Sequence, residues 1–166
     1  SVTPTAGHLN AGDSQNVDVH FDASGLLGGT YHGNVVFATN APVSPTQLPA
    51  TLTVIGAPNV TASPDTSAFG TRYANGTYTR TLVVSNDGTD ALHVTDVASS
   101  DGALTAAPTA FTLAPSTSQN VVLTWHPLAP AVLDATVTVS SDDPDAPSLV
   151  KRALGTAVAA PAFSVN

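Results

Sequence analysis

Residues 77–85 (TYTRTLVVS) alternate, with Tyr78, Arg80, Leu82 and Val84 on one side and Thr77, Thr79, Thr81 and Val83 on the other. A period of two is that of a half-buried β-strand. Asn86-Asp87-Gly88 then reads as a tight turn. Residues 91–97 (ALHVTDV) predict the next strand, with Leu92, Val94 and Asp96 on one face and Ala91, His93, Thr95 and Val97 on the other. Asp101-Gly102 turns the chain again, 111–113 is a short strand, and 120–125 alternates with Val121, Leu123 and Trp125 toward a core. Residues 135–140 and 149–154 are strands joined by the Asp/Pro turn 142–147. A strand at 58–62 opens the series, and the polar stretch 63–76 after it reads as turn-rich. Seven or so short strands at intervals of about 8–12 residues predict an all-β, immunoglobulin-like antiparallel sandwich. Its expected core holds Val84, Val121, Leu123, Trp125, Val137, Val139 and Leu154.

The pattern occurs twice. Residues 112–125 read TLAPSTSQNVVLTW and residues 8–21 read HLNAGDSQNVDVHF, with Ser118 standing 104 places after Ser14. Phe21 falls where the later copy has Trp125 and is expected in a core for the same reason. VVFATNAPVSP from Val35 matches VTVSSDDPDAP from Val137, with Pro144 lying 102 places after Pro42. A period near a hundred residues is the size of a β-sandwich domain, not of a short solenoid repeat. The expected organisation is a partial immunoglobulin-like domain of C-terminal strands at 1–56 and a complete one at 57–158. The remainder, 159–166, reads as the opening strand of a further domain or as a donor strand.

The partial copy lacks the first three strands of the complete one, which would leave core side chains and strand edges uncovered. The junction Ile55-Gly56-Ala57-Pro58 recurs in softened form as Val158-Ala159-Ala160-Pro161, and the tail AFSVN then aligns with residues 59–63. A linker this short predicts domains set end to end. The tail also invites a sharper expectation: Pro161, Phe163 and Val165 of one chain add to the partial sandwich of the next by β-augmentation. Phe163 and Val165, at i and i+2, would share a face toward the open core, and the heterologous contact would build a filament.

Composition narrows the function. The charged fraction is 10%, all twelve acids are Asp, and the net charge is −8. Four basic residues cannot line a phosphate-tracking groove, which argues against nucleic acid. Anionic membrane surfaces are disfavoured likewise, and no run approaches the 18 apolar residues of a membrane span. Zero Cys excludes disulfides, thiolate zinc sites and thiol catalysis. The low-Lys, Thr/Ser-rich, Cys-free composition fits an extracellular or cell-surface protein of bacterial type. A chain that starts at Ser1 and contains no Met reads as a processed or excised segment.

Candidate chemistry is sparse. Asp142, Asp143 and Asp145 cluster in one turn and form a weak Ca²⁺ candidate. Against it, the turn lacks EF-hand spacing and a Glu, and the other copy has Asn40, Ala41 and Val43 there. His8, His20, His32, His93 and His126 form neither HxH nor HExxH, so they read as strand-surface residues. No GxSxG elbow is present. Loop residues Tyr73, Asn75 and Tyr78 are the candidates for contact with surface carbohydrate, and Asn59 and Asn75 match glycosylation acceptors. No catalytic residue, cofactor or committed metal site is expected.

The stretches TLVVSNDGTDALHVTDV, FTLAPSTSQNVVLTWHP and VSSDDPDAP resemble the ASH/Hydin-like and major-sperm-protein-like branch of immunoglobulin sandwiches. Residues 1–42 (SVTPTAGHLNAGDSQNVDVHFDASGLLGGTYHGNVVFATNAP) are similar to a repeat pattern of bacterial surface proteins. The resemblance implies fold more than function, because these are turn and core signatures and no catalytic residues come with them. It implies a non-enzymatic module of an extracellular stalk, fibre or filament, whose partners are copies of itself or neighbouring repeats. The alternative is an accessory spacer or carbohydrate-binding module of a secreted hydrolase. A cytoskeletal or ciliary role fits less well with so acidic a chain.

Overall fold

The computed structural model describes residues 1–161, which contain strands, turns and no helix. The chain divides into two compact units, Ser1–Ile55 and Gly56–Asn166. The first carries β1 (Val2–Thr3), β2 (Asp18–Val19), β3 (Gly29–Phe37) and β4 (Thr46–Val54). The second carries β5 (Val60–Ser63), β6 (Thr66–Tyr73), β7 (Tyr78–Asn86), β8 (Leu92–Ser99), β9 (Leu104–Ala107), β10 (Phe111–Leu113), β11 (Ser118–Trp125), β12 (Ala131–Ser141) and β13 (Ser148–Val158).

In the second unit, a five-stranded sheet β10-β8-β12-β13-β6 packs on a four-stranded sheet β5-β7-β11-β9. Alternation decides which side chains meet between them. Leu82 and Val84 of β7 face inward with Val121, Leu123 and Trp125 of β11. Opposite them stand Leu92, Val94 and Val97 of β8, Leu133, Ala135, Val137 and Val139 of β12, and Phe69 of β6. Trp125 is the largest of these. The Phe69 ring meets it edge-on at 5.5 Å, and Tyr78 lies tilted at 6.2 Å.

Three local features depart from the simple alternating pattern. Residues 66–73, expected to be turns, form β6, which pairs in parallel with β13 and so finds its partner some 85 residues away. A bulge lies at Phe69–Gly70, where Gly70 takes a φ of 69°, and it keeps Phe69 on the core side. In β8 the register against β12 slips between Ser140 and Ser141, leaving Thr95 extra. Val97 therefore joins Leu92 and Val94 inside instead of facing the other way. Leu154 is half-buried rather than central, because on β13 the inward positions are Ala153, Gly155 and Ala157. These are small for a reason: a Cβ on Gly155 would sit 2.8 Å from Trp125 Cζ3.

The first unit has two separate antiparallel pairs, β1–β2 and β3–β4. Their registers repeat those of the second unit. Val2 opposes Val19 as Ala106 opposes Leu123, and Thr3 opposes Asp18 as Ala107 opposes Val122, all 104 places apart. Tyr31 opposes Leu52 and Gly33 opposes Ala50, as Leu133 opposes Gly155 and Ala135 opposes Ala153. No residue of this unit is buried. Phe21, expected in a core, is 47% exposed, which corrects that expectation: no described strand stands on the side of β2 where β7 flanks β11. Pro161 is exposed and outside regular structure, whereas Phe163 and Val165 lie outside the described residues.

Candidate functional site

An open apolar surface belongs to the first unit. A cleft between its two strand pairs is bordered by Val2, Val19 and Phe21 on one side and Tyr31, Val35 and Leu52 on the other. A second opening, beside Val17, Val35, Phe37 and Leu9, continues it. His20, just after β2, and His32 of β3 also border the cleft, and His32 Nδ1 lies 3.2 Å from Thr51 Oγ1. Among the described residues the cleft lining includes no Asp or Glu. It is an apolar cleft beside main-chain edges of β2, β3 and β4 that have no ladder partner among the described residues.

The Asp142–Pro147 turn of the second unit spends its carboxylates on its own backbone. Asp143 is buried, and its Oδ2 accepts from the Val60 N–H at 2.6 Å. Its Oδ1 accepts from the N–H groups of Asp145 and Ala146 at 2.8 and 3.1 Å. Burial opposes ionisation here, but the three N–H donors outweigh it and hold the carboxyl below the usual carboxylate range. Asp142 turns to β8: Oδ1 accepts from the His93 N–H at 2.8 Å, and Oδ2 lies 2.7 Å from His93 Nδ1. Partial burial raises its pKa and these bonds lower it, with a net lowering. The Ca²⁺ candidate is thereby corrected. The oxygens of Asp142 and Asp143 are directed at different N–H groups and do not converge with Asp145. Among the described residues no group of three or more His, Asp, Glu or Cys could hold a metal ion.

A polar residue that sequence reasoning placed in a turn proves to be the centre of the second unit's wiring. Asn86 is fully buried and all four of its side-chain hydrogen bonds are made. Its Oδ1 accepts from Asn59 N–H at 3.2 Å and Gly88 N–H at 3.0 Å. Its Nδ2 donates to the carbonyls of Asp90 at 2.7 Å and Leu113 at 3.1 Å. Gly88 lets the chain pass closely, since a Cβ there would lie 2.4 Å from the Ala57 carbonyl oxygen. The alternating pattern carried the one usable signal, because Asn86 shares parity with Leu82 and Val84.

Several aromatic and basic side chains are engaged as well, although Arg72 Nε is buried without a hydrogen-bond partner among the described residues. Tyr78 opens β7 instead of lying in a loop, and its hydroxyl donates to the Tyr73 carbonyl at 2.8 Å. Tyr73 is half-exposed, and Asn59 and Asn75 are exposed. Lys151 pairs with Asp65 and Arg152 with Asp134, each at 2.6 Å. Arg80 donates to the Ala68 carbonyl at 2.7 Å, and Arg72 stacks over the Tyr78 ring at 5.4 Å. An exposed pair such as Arg152–Asp134 adds little stability.

A family model described as ASH (abnormal spindle-like microcephaly-associated, ASPM-SPD-2-Hydin) matches residues 58–149, more than half of the chain. The chain belongs to the ASH family. The ASH sandwich is similar in fold to the ASH/PapD-like domain 7 of human CEP192, at 16% identity and a TM-score of 0.56. That alignment covers 63% of this chain and 89% of the other. A protein of unknown function from Porphyromonas gingivalis W83 aligns over 80% of this chain and 67% of its own, at 16% identity and a TM-score of 0.54. SSP-19, a major-sperm-protein-like protein of Caenorhabditis elegans, aligns over 60% of this chain and 99% of its own, at 21% identity and a TM-score of 0.46. No curated protein matches the sequence. Identities this low speak for the fold alone.

Proposed function

We propose that this chain is a non-enzymatic structural module of an extracellular bacterial stalk, fibre or filament built from ASH repeats. The observation that carries this reading is the repetition of one strand-pair geometry at an offset of 104 residues, across a junction of a few residues at 55–58. A spacer needs repetition and sound folding, not reactive groups. In the ASH sandwich the buried Asp and Asn bind backbone, the Trp fills the core, and the basic residues are tied to neighbours. A chain without Cys, with one Lys and a net charge of −8, fits a surface location. Its partners are copies of itself or neighbouring repeats. Immunogold electron microscopy of intact source cells, with antibody to the ASH sandwich, tests the reading. The expected result is label on surface rods or fibres of the parent protein. Label confined to the cell interior would overturn it.

A further inference from the structure

We propose that the open cleft of the first unit is a receptor for the N-terminal half of an ASH repeat, a three-strand block of the β6–β7–β8 pattern. The inference rests on the repeat reading above. It asks what covers the cleft, and the second unit supplies the template. There, β11 takes β7 on the edge away from β9, β12 takes β8 on the edge away from β13, and β13 takes β6. The corresponding edges of β2, β3 and β4 are free among the described residues. The residues at 7–9, which align with β10, form no strand, and β10 itself pairs only with β8. A missing β8 therefore explains a missing β10.

Two independent features indicate that the cleft is shaped for burial. First, its turn is already set. Gly12 and Ser116, 104 apart, both take positive φ, at 90° and 59°. The Asp13 N–H donates to the Asn10 carbonyl as Thr117 does to Ala114, and Gln15 Nε2 donates to the Asn16 carbonyl as Gln119 does to Asn120. Second, side-chain volumes compensate between copies. The second unit pairs a large Trp125 with Gly155, which cannot carry a Cβ beside it. The first unit has the smaller Phe21 in the Trp place and Leu52 in the Gly place, and both border the same cleft. Exchange of volume between two such positions follows from close packing. A permanently solvated surface has no such requirement.

The ladder also says what cannot fill the cleft alone. The tail at 161–166 aligns with 58–63, and β5 in that place pairs only with β7. A tail strand has no partner in the first unit until a β7-type strand is present. A folded second copy cannot donate the block either, because its own Thr66–Ser99 strands are committed to its own core. The occupant is thus the front half of another ASH repeat, with its Leu82 equivalent opposite Val17 and its Tyr78 equivalent opposite Phe21.

The test joins a second copy of residues 57–104 ahead of Ser1 of the full chain, since Ser1 aligns with Thr105. A companion version carries a flexible Gly/Ser linker at the join, in case the direct fusion misfolds. Hydrogen exchange is read at 17–21 and 33–37. In the unfused chain these amides should exchange nearly freely, and in the fusion they should slow by about a hundredfold or more. Val19→Asp in the fusion should remove that protection while 57–158 stays protected. The proposal is overturned if both fusions leave these amides exchanging as in the unfused chain, or if the unfused monomer already protects them as well as it protects β11. The surface location of the parent is read separately by microscopy, so either reading can fail alone.

Discussion

Val121, Leu123 and Trp125 of β11 are 0, 1 and 2% exposed, whereas Val19 and Phe21, at the places of Leu123 and Trp125, are 38 and 47% exposed. The strands share their register, their turn and their Ser-Gln-Asn-Val sequence. What separates them is neighbours: β7 beside β11, and β6 and β8 across the sandwich. The pairing of two strands and the turn ahead of them are local. Burial is collective, and an apolar side chain contributes stability only where a second layer excludes water from it.

The comparison can be broken most forcefully at its largest side chain. Trp125→Ala should destabilise the ASH sandwich by about 3–5 kcal/mol, the usual range for emptying a buried aromatic site. Urea unfolding followed by circular dichroism measures this, and a loss under about 1 kcal/mol would contradict the core assignment. Asn86→Ala comes next, at about 3 kcal/mol, because it strands two N–H donors and two carbonyls in the interior. The first unit has no described counterpart of this residue, so its amide exchange should not change.

Gly155→Leu transplants the first unit's residue into the second and should cost about 1–3 kcal/mol through overpacking against Trp125. Adding Trp125→Phe transplants the partner as well. The pair should be less damaging than the sum of the singles, by at least about 0.5 kcal/mol in a double-mutant cycle. Strict additivity would dissolve the volume argument.

Asp143→Asn should cost about 1–2 kcal/mol at neutral pH, since it weakens charge-assisted bonds to buried N–H groups. The folded carboxyl has a lowered pKa, so its contribution is complete above the unfolded value of about 3.9 and disappears as pH falls through the folded value. Between pH 6 and pH 2 the parent should therefore lose more stability than the Asn variant in denaturant titrations. Smallest of all, Phe21→Ala should change the unfolding of the isolated chain by under about 0.5 kcal/mol, as exposed substitutions do.

How much was legible follows from how far each signal reaches. Alternation found β7 and β11 and placed Leu82, Val84, Val121, Leu123 and Trp125 on inward faces, because strand parity is a property of consecutive residues. It failed at β6, where Thr, Ser, Gly and Arg dilute the apolar positions and the ladder partner lies far along the chain. It failed at Val97 and Leu154, because bulges and the room needed by Trp125 reset parity in three dimensions. The acidic turn looked like a cation site in composition. Its carboxylates answer to N–H groups on β5 and β8, which no local window includes.

The sequence by itself therefore determined the strand class and the inward faces of β7 and β11, since each is written in short-range periodicity. Only the tertiary structure decided that Asn86 and Asp143 are internal ties and that Gly155 yields space to Trp125. Each of those depends on which distant backbone comes within bonding or van der Waals distance, and that is set by the stacking of sheets, not by the order of residues along any one strand.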